Sequence, residues 1–198
     1  GEVLNRDSVQ SSIRRELGLS ADARRASPAE QGMAELMVDI HRRSDAPLAE
    51  ATLFSWHDML MKGRRDLRDV GRYRTHAEPM QVVSGKVHDP RVHFEAPPSA
   101  QVPAEMAAFL DWFDRTAPSG SEPLPALTRA GTAHLYFESI HPFEDGNGRV
   151  GRAVVDLALA QDVRKATRLH GVANELRSRQ RDYYDALNAA QRGTGDVT

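Results

Sequence analysis

The sequence predicts a mainly α-helical domain that carries one small β-hairpin. Apolar residues recur at helical spacing in several segments, and Ala133, Phe137 and Ile140 for example share one face of a helix. The stretch between Gly63 and Pro103 differs, because short runs of β-favouring residues alternate there with glycine and proline. At 198 residues the chain has the length of about one domain and can bury a hydrophobic core.

Three helices are predicted before the hairpin. The first is short and amphipathic, with Asp7 or Ser8 as its N-cap, Glu16 as its last residue and Gly18 just beyond its end. Ser27 as N-cap and Pro28 at the first helical position predict a second helix at residues 28–40. Apolar residues at helical spacing predict a third helix at residues 48–61.

The hairpin is predicted to consist of strands at residues 80–84 and 92–94. Helices are predicted to follow it, and their approximate ranges are 103–112, 127–140, 146–158 and 172–191. The sequence contains no internal repeat and no linker long enough to separate two domains. We therefore predict a single domain over residues 1–198.

The composition excludes several classes of function. Lys and Arg number 26 against 28 Asp and Glu, so the formal charge of −2 predicts no overall attraction to nucleic acid or membranes. Cysteine is absent, which excludes a disulfide framework, a thiolate nucleophile and Cys-ligated zinc. Neither a leader-like start nor an apolar run of about 18 residues occurs. We expect a soluble, cytoplasmic protein.

The densest cluster of reactive side chains lies at residues 141–152, His-Pro-Phe-Glu-Asp-Gly-Asn-Gly-Arg-Val-Gly-Arg. This motif falls between two predicted helices, and Gly146 to Gly148 lie at the start of the second. A helix N-terminus offers unpaired N–H groups and a positive dipole end to an anion, and glycines allow close approach. The motif therefore predicts a phosphate site that contains its own base, His141.

Gly146, Gly148 and Gly151 also match G-x-G-x-x-G, the dinucleotide-binding fingerprint. That fingerprint requires a preceding strand within a βαβ unit and an acidic residue about 20 positions later. Here the preceding pattern is helical, and residues 165–168 are Lys-Ala-Thr-Arg. We therefore interpret this match as fortuitous.

The whole motif resembles, without a mismatch, the signature of the Fic family (filamentation induced by cyclic AMP), HxFx(D/E)GNGRxxR. Residues 92–97, 137–140 and 181–187 resemble family members more loosely. The resemblance implies a Fic-like helical bundle with a β-hairpin flap. It implies flanking helices at 1–65 and a Fic core at 66–193, including the flap at about 80–96 and the signature at 141–152.

The resemblance also implies an activity, the transfer of AMP from ATP·Mg²⁺ to a hydroxyl side chain of Ser, Thr or Tyr in a target protein, with self-modification. By resemblance, Arg152 holds the γ-phosphate and the flap aligns the target through β-augmentation. A hairpin packed on the helical body without a partner is the alternative. Adenine is expected near the last helix, where Tyr183, Tyr184 and Asn188 are candidate contacts, although tyrosines at such positions are as often core residues.

The side chains of the motif suit this chemistry. His141 is a suitable general base for a hydroxyl proton, and Asp145 offers hard oxygen to Mg²⁺. Arg149 and Arg152 are three positions apart on one helix, where both can hold pyrophosphate. The backbone N–H groups of the loop and one side-chain amide complete the predicted phosphate ligands, which are Gly146, Asn147, Gly148, Arg149 and Arg152. Phe143 is expected in the core.

Each residue also has a structural interpretation. His141 alone would suit a helix end, Asp145 would suit a helix cap, and the arginines would suit a solvated face or a pair with Asp156. Those roles leave the glycines unexplained, because a helix start that needs only a cap does not favour glycine. The histidines without metal-site spacing are expected to be structural or on the surface, namely His57, His76, His88, His93, His134 and His170.

Two other classes of function stay open. One is a related Fic reaction, either removal of AMP or transfer of another phosphate-linked group, although the Gly-Asn-Gly-Arg run disfavours the phosphate-transferring subgroup. The other is a non-catalytic nucleotide-sensing or protein-interaction module, which the intact base, carboxylate and arginines disfavour. The target protein is not specified by the sequence, and a homo-oligomer is also left open.

Many family members carry an inhibitory motif, (S/T)xxxE(G/N), whose glutamate pairs with the second arginine of the signature. The nearest match, Ser12 to Glu16, is followed by Leu17, whereas residues 1–6 resemble the continuation just after that glutamate. We expect the chain to begin just inside the inhibitory element and to stop short of a closing helix. Arg152 would then be free to bind ATP, and a longer chain that restores the glutamate would be less active.

Overall fold

The computed structural model describes residues 4–20, 25–86, 89–162 and 178–192, and helices make up most of these residues. Within these ranges the helices are α1 (Arg6–Glu16), α2 (Pro28–Arg42), α3 (Glu50–Leu60), α4 (Val102–Arg115), α5 (Ala126–Ile140), α6 (Asn147–Asp162) and α7 (Gln180–Arg192). A short 3₁₀ turn at Ser99–Gln101 precedes α4. The strands are β1 (Gln81–Lys86) and β2 (Asp89–Glu95). The predicted mainly α-helical fold is confirmed. No described helix is both long and apolar enough to cross a membrane.

The hydrophobic core is built around α5 and α6, which pack against each other and are joined by the motif loop. Ala133, Phe137 and Ile140 on α5 are all buried, as their predicted common face requires. The apolar residues that follow the motif are buried as well, and these are Val150, Ala153, Val154, Leu157 and Ala158. Helices α2 and α3 pack on α6, and α4 packs on α5. Full burial of each large apolar side chain contributes about 1.5–3 kcal/mol, so this core holds the motif loop on a rigid base.

The start of α2 is set by neighbouring residues, whereas the start of α1 also involves a contact with another helix. For α2 the prediction is confirmed, because Ser27 Oγ accepts the Glu30 N–H at 3.3 Å and Glu30 Oε2 accepts the Ser27 N–H at 2.7 Å. For α1 the predicted cap was wrong. Asn5 is the N-cap, and its Oδ1 accepts the N–H groups of Asp7 and Ser8 at 3.0 and 3.2 Å. The Asn5 N–H in turn donates to Glu30 Oε1 at 2.9 Å, so a contact between helices selects this cap.

The β-hairpin is antiparallel, and its pairing extends from Gln81–Glu95 to Lys86–Asp89 with an irregularity between Val82 and Val83. Both strands are longer than predicted, because pairing continues toward the turn beyond the β-favouring residues. The last predicted helix falls partly outside the described residues, and within them α7 begins at Gln180.

Candidate active site

A cavity of about 660 Å³ opens where the motif loop, the N-terminus of α6 and the end of α3 meet. The structure brings the predicted signature residues together in its wall, namely His141, Asp145, Gly146, Asn147, Gly148, Arg149 and Arg152. Other parts of the chain complete the lining with Leu4, Ala29, Met33, Leu60, Lys62, Arg64 and Glu144. The cavity therefore combines a base, a carboxylate and several cations at a helix N-terminus.

His141 ends α5 in the left-handed conformation, with φ 51° and ψ 59°. Its Nδ1 lies 3.3 Å from the main-chain carbonyl oxygen of Glu138. Since a carbonyl can only accept, this contact selects the tautomer with the proton on Nδ1. The lone pair is then on Nε2, where an incoming hydroxyl can donate its proton.

The surroundings of His141 keep its imidazole neutral. Burial lowers the pKa of His141 most, the Glu138 carbonyl opposes that effect, and the positive charge of Arg74 lowers the pKa further. The net pKa lies below the ordinary histidine value. A histidine with such a pKa is unprotonated at pH 7 and can act as a base.

Asn147 holds the motif loop closed. Its Oδ1 accepts the Phe143 N–H and its Nδ2 donates to the Phe143 carbonyl oxygen, both at 2.8 Å. The Asn147 residue is only 2% exposed, so its side chain serves the loop. The side-chain amide of Asn147 is therefore not the phosphate ligand that was predicted. The backbone N–H of Asn147 is predicted to take that role. Phe143 is fully buried and stacks on His57 with 4.1 Å between ring centroids, as expected for a core residue.

Position 146 requires a glycine. Its φ is +82°, and a Cβ atom there would lie 2.5 Å from Met61 Cε. The Gly146 carbonyl accepts the N–H groups of Arg149 and Val150 at 3.0 Å, which starts α6. The N–H groups of Asn147 and Gly148 belong to the first turn and have no acceptor within the helix, so they suit a phosphate.

Asp145 presents a carboxylate that is 43% exposed. Its Oδ2 accepts from Arg64 at 2.7 Å, and its Oδ1 accepts the Gly146 N–H. Burial raises the pKa of Asp145, but these hydrogen bonds and the charges of Arg64 and Arg149 outweigh it, so the pKa lies below the ordinary value. Asp145 is therefore ionised at neutral pH.

The donor set suits Mg²⁺ that arrives with a nucleotide. Among the described residues there is no group of three or more His, Asp or Glu side chains that could hold a metal. Glu144 Oε2 accepts the N–H groups of Arg68 and Asp69 at 2.9 Å, whereas the Asp145 carboxylate is 43% exposed. Mg²⁺ in nucleotide sites takes one or two protein carboxylates, phosphate oxygens and water, so a single carboxylate fits.

The two arginines of the motif approach the cavity differently. Arg149 is in the first turn of α6, and its guanidinium reaches the end of α3, with NH1 3.4 Å from the Leu60 carbonyl oxygen and NH2 3.9 Å from Asp145 Oδ1. Arg152 is one turn further along α6, and its NH1 would lie 3.4 Å from a Cβ placed on Gly148. Both guanidiniums thus border the glycines of the loop, where they can bind the phosphates of one ligand.

Arg74 is a residue of the site that the sequence analysis missed. It is 2% exposed, and its Nε donates to the His141 carbonyl oxygen at 2.8 Å. Its other nitrogens reach the Pro97 carbonyl oxygen and Ser99 Oγ, just after β2. One buried guanidinium therefore ties the motif loop to the base of the hairpin. An arginine in an irregular segment carries no local signal of such a role.

Two histidines expected to be structural are confirmed as such. His57 is fully buried, its Nδ1 accepts the Gly71 N–H at 3.0 Å, and its Nε2 lies 3.0 Å from the Asp145 carbonyl oxygen. His134 is buried on α5, with Nε2 2.8 Å from the Tyr183 hydroxyl. Within the described ranges, neither histidine belongs to a group of side chains that could bind a metal ion.

The predicted adenine contacts, unlike the signature residues, are not among the described residues that line the cavity. The Tyr183 ring lies beside His134, with 5.7 Å between centroids, and Tyr183 is not among the described residues that line the cavity. The side chains of Tyr184 and Asn188 lie outside what the structure describes. The adenine contacts therefore stay a prediction.

Solved structures resemble this architecture. A Fic family protein from Desulfovibrio desulfuricans G20 has a TM-score of 0.62 and 28% identity, covering 93% of this chain and 56% of that one. A Fic domain containing signaling protein from Bacteroides thetaiotaomicron VPI-5482 has a TM-score of 0.64 and 21% identity, covering 90% of this chain and 63% of that one. The second likeness supports the fold alone.

Curated relatives extend the comparison to proteins with a named activity. A probable protein adenylyltransferase of Aquifex aeolicus (strain VF5) is 29% identical over 100 residues, 50% of this chain and 27% of its own length. The protein adenylyltransferase Fic of Nematostella vectensis is 30% identical over 119 residues, 60% of this chain and 26% of its own length. The chain thus spans about a quarter of each relative. The model of the Fic/DOC family matches residues 47–159, more than half of the chain, and the chain belongs to this family.

Proposed function

We propose that the protein transfers AMP from ATP to a hydroxyl side chain of a target protein. The observation that carries the proposal is the position of His141, whose Nδ1 faces a carbonyl oxygen and which lines the same cavity as Arg149, Arg152 and the N-terminus of α6. The names of the curated relatives, both protein adenylyltransferases, support the same reaction.

The proposed reaction assigns one task to each group. The first-turn N–H groups of α6 and the guanidiniums of Arg149 and Arg152 bind the phosphates. Asp145 would hold Mg²⁺, which when bound neutralises phosphate charge. His141 Nε2 takes the proton of the target hydroxyl as its oxygen bonds to the α-phosphorus. The bond from that phosphorus to pyrophosphate breaks, and the arginines hold the departing anion. Adenine is assigned to the side of α7, with Tyr183, Tyr184 and Asn188 as candidate contacts.

The hairpin is proposed to align the target. In a two-stranded sheet each strand has one edge whose backbone groups are unpaired in the sheet, and such an edge can add an extended peptide as a further strand. The Arg74 contacts connect the end of this hairpin to the carbonyl of His141. A target segment paired with the flap would therefore be registered against the base.

The proposal can be tested by incubating the protein with ATP and a cell lysate and identifying modified peptides by mass spectrometry. We expect adenylate on Ser, Thr or Tyr side chains, including those of the protein itself, and none with the His141→Ala variant. Loss of adenylate from previously modified proteins would indicate AMP removal instead. Absence of any adenylate that depends on His141 would contradict the proposal.

Replacement of Asp145 by alanine is expected to weaken both turnover and the dependence on Mg²⁺, because the accessible carboxylate of the cavity is lost. Turnover measured over a Mg²⁺ series tests this. Asp66→Ala is the matched control, since Asp66 pairs with the same Arg64 but does not line the cavity. Unchanged wild-type turnover in excess chelator would show that the metal role is wrong.

Replacement of Val82 by proline is expected to impair modification of a protein target more than ATP binding. Proline removes a backbone N–H and disfavours strand pairing where Val82 pairs with Phe94. The comparison needs target labelling and an ATP-binding measurement on the same variant, with Val82→Ala as control because it keeps the backbone N–H. Equal target modification by the proline variant would argue against the flap assignment.

A further inference from the structure

Glu138 lies on α5 one turn before His141, and its side chain faces the protein interior. Its Oε2 is 3.8 Å from His141 Nδ1, and its main-chain carbonyl oxygen is 3.3 Å from the same nitrogen. The residue is 7% exposed, and Oε1 has no hydrogen-bond partner. A buried carboxyl oxygen without a partner is costly, so a purely structural role does not explain it.

The glycines of α6 provide the space for this carboxyl group. A Cβ atom on Gly151 would lie 2.6 Å from Glu138 Oε1, and one on Gly148 would lie 3.9 Å from it. Gly151 has a normal helical φ and takes no part in the proposed phosphate contacts. Its lack of a side chain is explained by the close approach of Glu138 to α6.

The charged and titratable groups around the pair come from four parts of the chain. Burial raises the pKa of Glu138 to about 7, although Arg152 on α6 lowers it. On α5, burial lowers the pKa of His134, whose Nε2 contacts Tyr183 of α7. The charges of Arg74 and Asp145 act on His141. The charge of Asp156 interacts with that of Arg152. Glu138 is therefore a carboxyl group poised to ionise near neutral pH beside the base.

We propose that Glu138 is the positioning residue of His141, with a carboxylate that stabilises the imidazolium formed when His141 accepts the hydroxyl proton. This inference rests on the proposed function. The O–H bond of the target breaks and the proton bonds to His141 Nε2, while the Nδ1 proton stays directed at the Glu138 carbonyl. The carboxylate takes up no proton in this step. Because an acid is ionised above its pKa, the stabilisation is present above about pH 7 and is lost as the pH falls below it.

Glu138→Gln tests the inference, because glutamine keeps the shape and removes the charge. In NMR titrations of the imidazole, wild-type His141 should show a component near neutral pH that tracks Glu138, since coupled groups titrate together. In the variant we expect the component near neutral pH to disappear and a single step to remain. The kcat for AMP transfer above pH 7 should fall about tenfold, with little change in the KM for ATP.

Asp156→Asn is the matched control, since Asp156 is a half-buried acid four residues after Arg152 on α6 and is expected to leave the His141 titration unchanged. If Glu138→Gln does not fold, Glu138→Asp replaces it as the test variant. The shorter side chain moves the carboxylate away from His141 Nδ1 by the length of one methylene group. An identical His141 titration in wild type and variant overturns the inference, and so does a rise in KM alone. The NMR readout does not need activity, so a wild type without AMP transfer would contradict the proposed function and not this coupling.

Discussion

Replacing His141 by alanine is expected to reduce AMP transfer by about 10²- to 10⁴-fold while ATP binding persists. His141 is the proposed base and its side chain lines the cavity, whereas the proposed phosphate-binding groups belong to other residues. Removing the imidazole therefore affects proton transfer and not the cradle of N–H groups and guanidiniums.

Incorporation of labelled AMP and calorimetric binding of ATP, measured on the same preparation, test this expectation. His41→Ala is a suitable control, since His41 is an exposed histidine on α2 and does not line this cavity. Undiminished labelling by the His141 variant would show that the base has been wrongly assigned. Loss of both labelling and binding would show that His141 holds the nucleotide.

Replacing Arg74 by alanine is expected to lower the free energy of unfolding by about 2–4 kcal/mol and to reduce AMP transfer. The buried guanidinium satisfies the carbonyl oxygens of Ile140, His141 and Pro97, and its removal leaves these acceptors without their donor. The carbonyl of His141 would then lose the contact that fixes the residue at the end of α5.

Urea denaturation monitored by tryptophan fluorescence measures the first effect. Arg65→Ala is the matched control, because Arg65 is an exposed arginine of the same connecting segment, and we expect a change within about 0.5 kcal/mol. If Arg74→Ala is as stable as Arg65→Ala, the buried contacts have little energetic value. A stable and fully active Arg74→Ala variant would remove the proposed connection between flap and base.

Local patterns explain why much of the fold could be predicted from the sequence. The start of α2 depends on Ser27, Pro28 and Glu30, which are adjacent in the chain. The buried faces of α5 and α6 follow from apolar periodicity. The cap of α1 could not be predicted in this way, because the Glu30 contact that fixes Asn5 is formed only when the helices pack.

The candidate site divides in the same way. The signature residues are contiguous in sequence, so their convergence around one cavity was predictable. Arg64 and Arg74 reach Asp145 and His141 across more than sixty residues, and nothing local distinguishes them from surface arginines. The side chain of Asn147 was assigned to phosphate because its type suits an anion, but the closed loop places both of its polar atoms on Phe143.

Attack at the α-phosphorus of ATP in this cavity is tested most directly by parallel incubations with ATP labelled at the α- or γ-phosphate. In lysate with Mg²⁺, and relative to the same lysate without the protein, we predict that the wild type adds α-label to protein and no γ-label, and that His141→Ala adds neither. γ-label above that background, or added α-label that does not depend on His141, would contradict attack at the α-phosphorus.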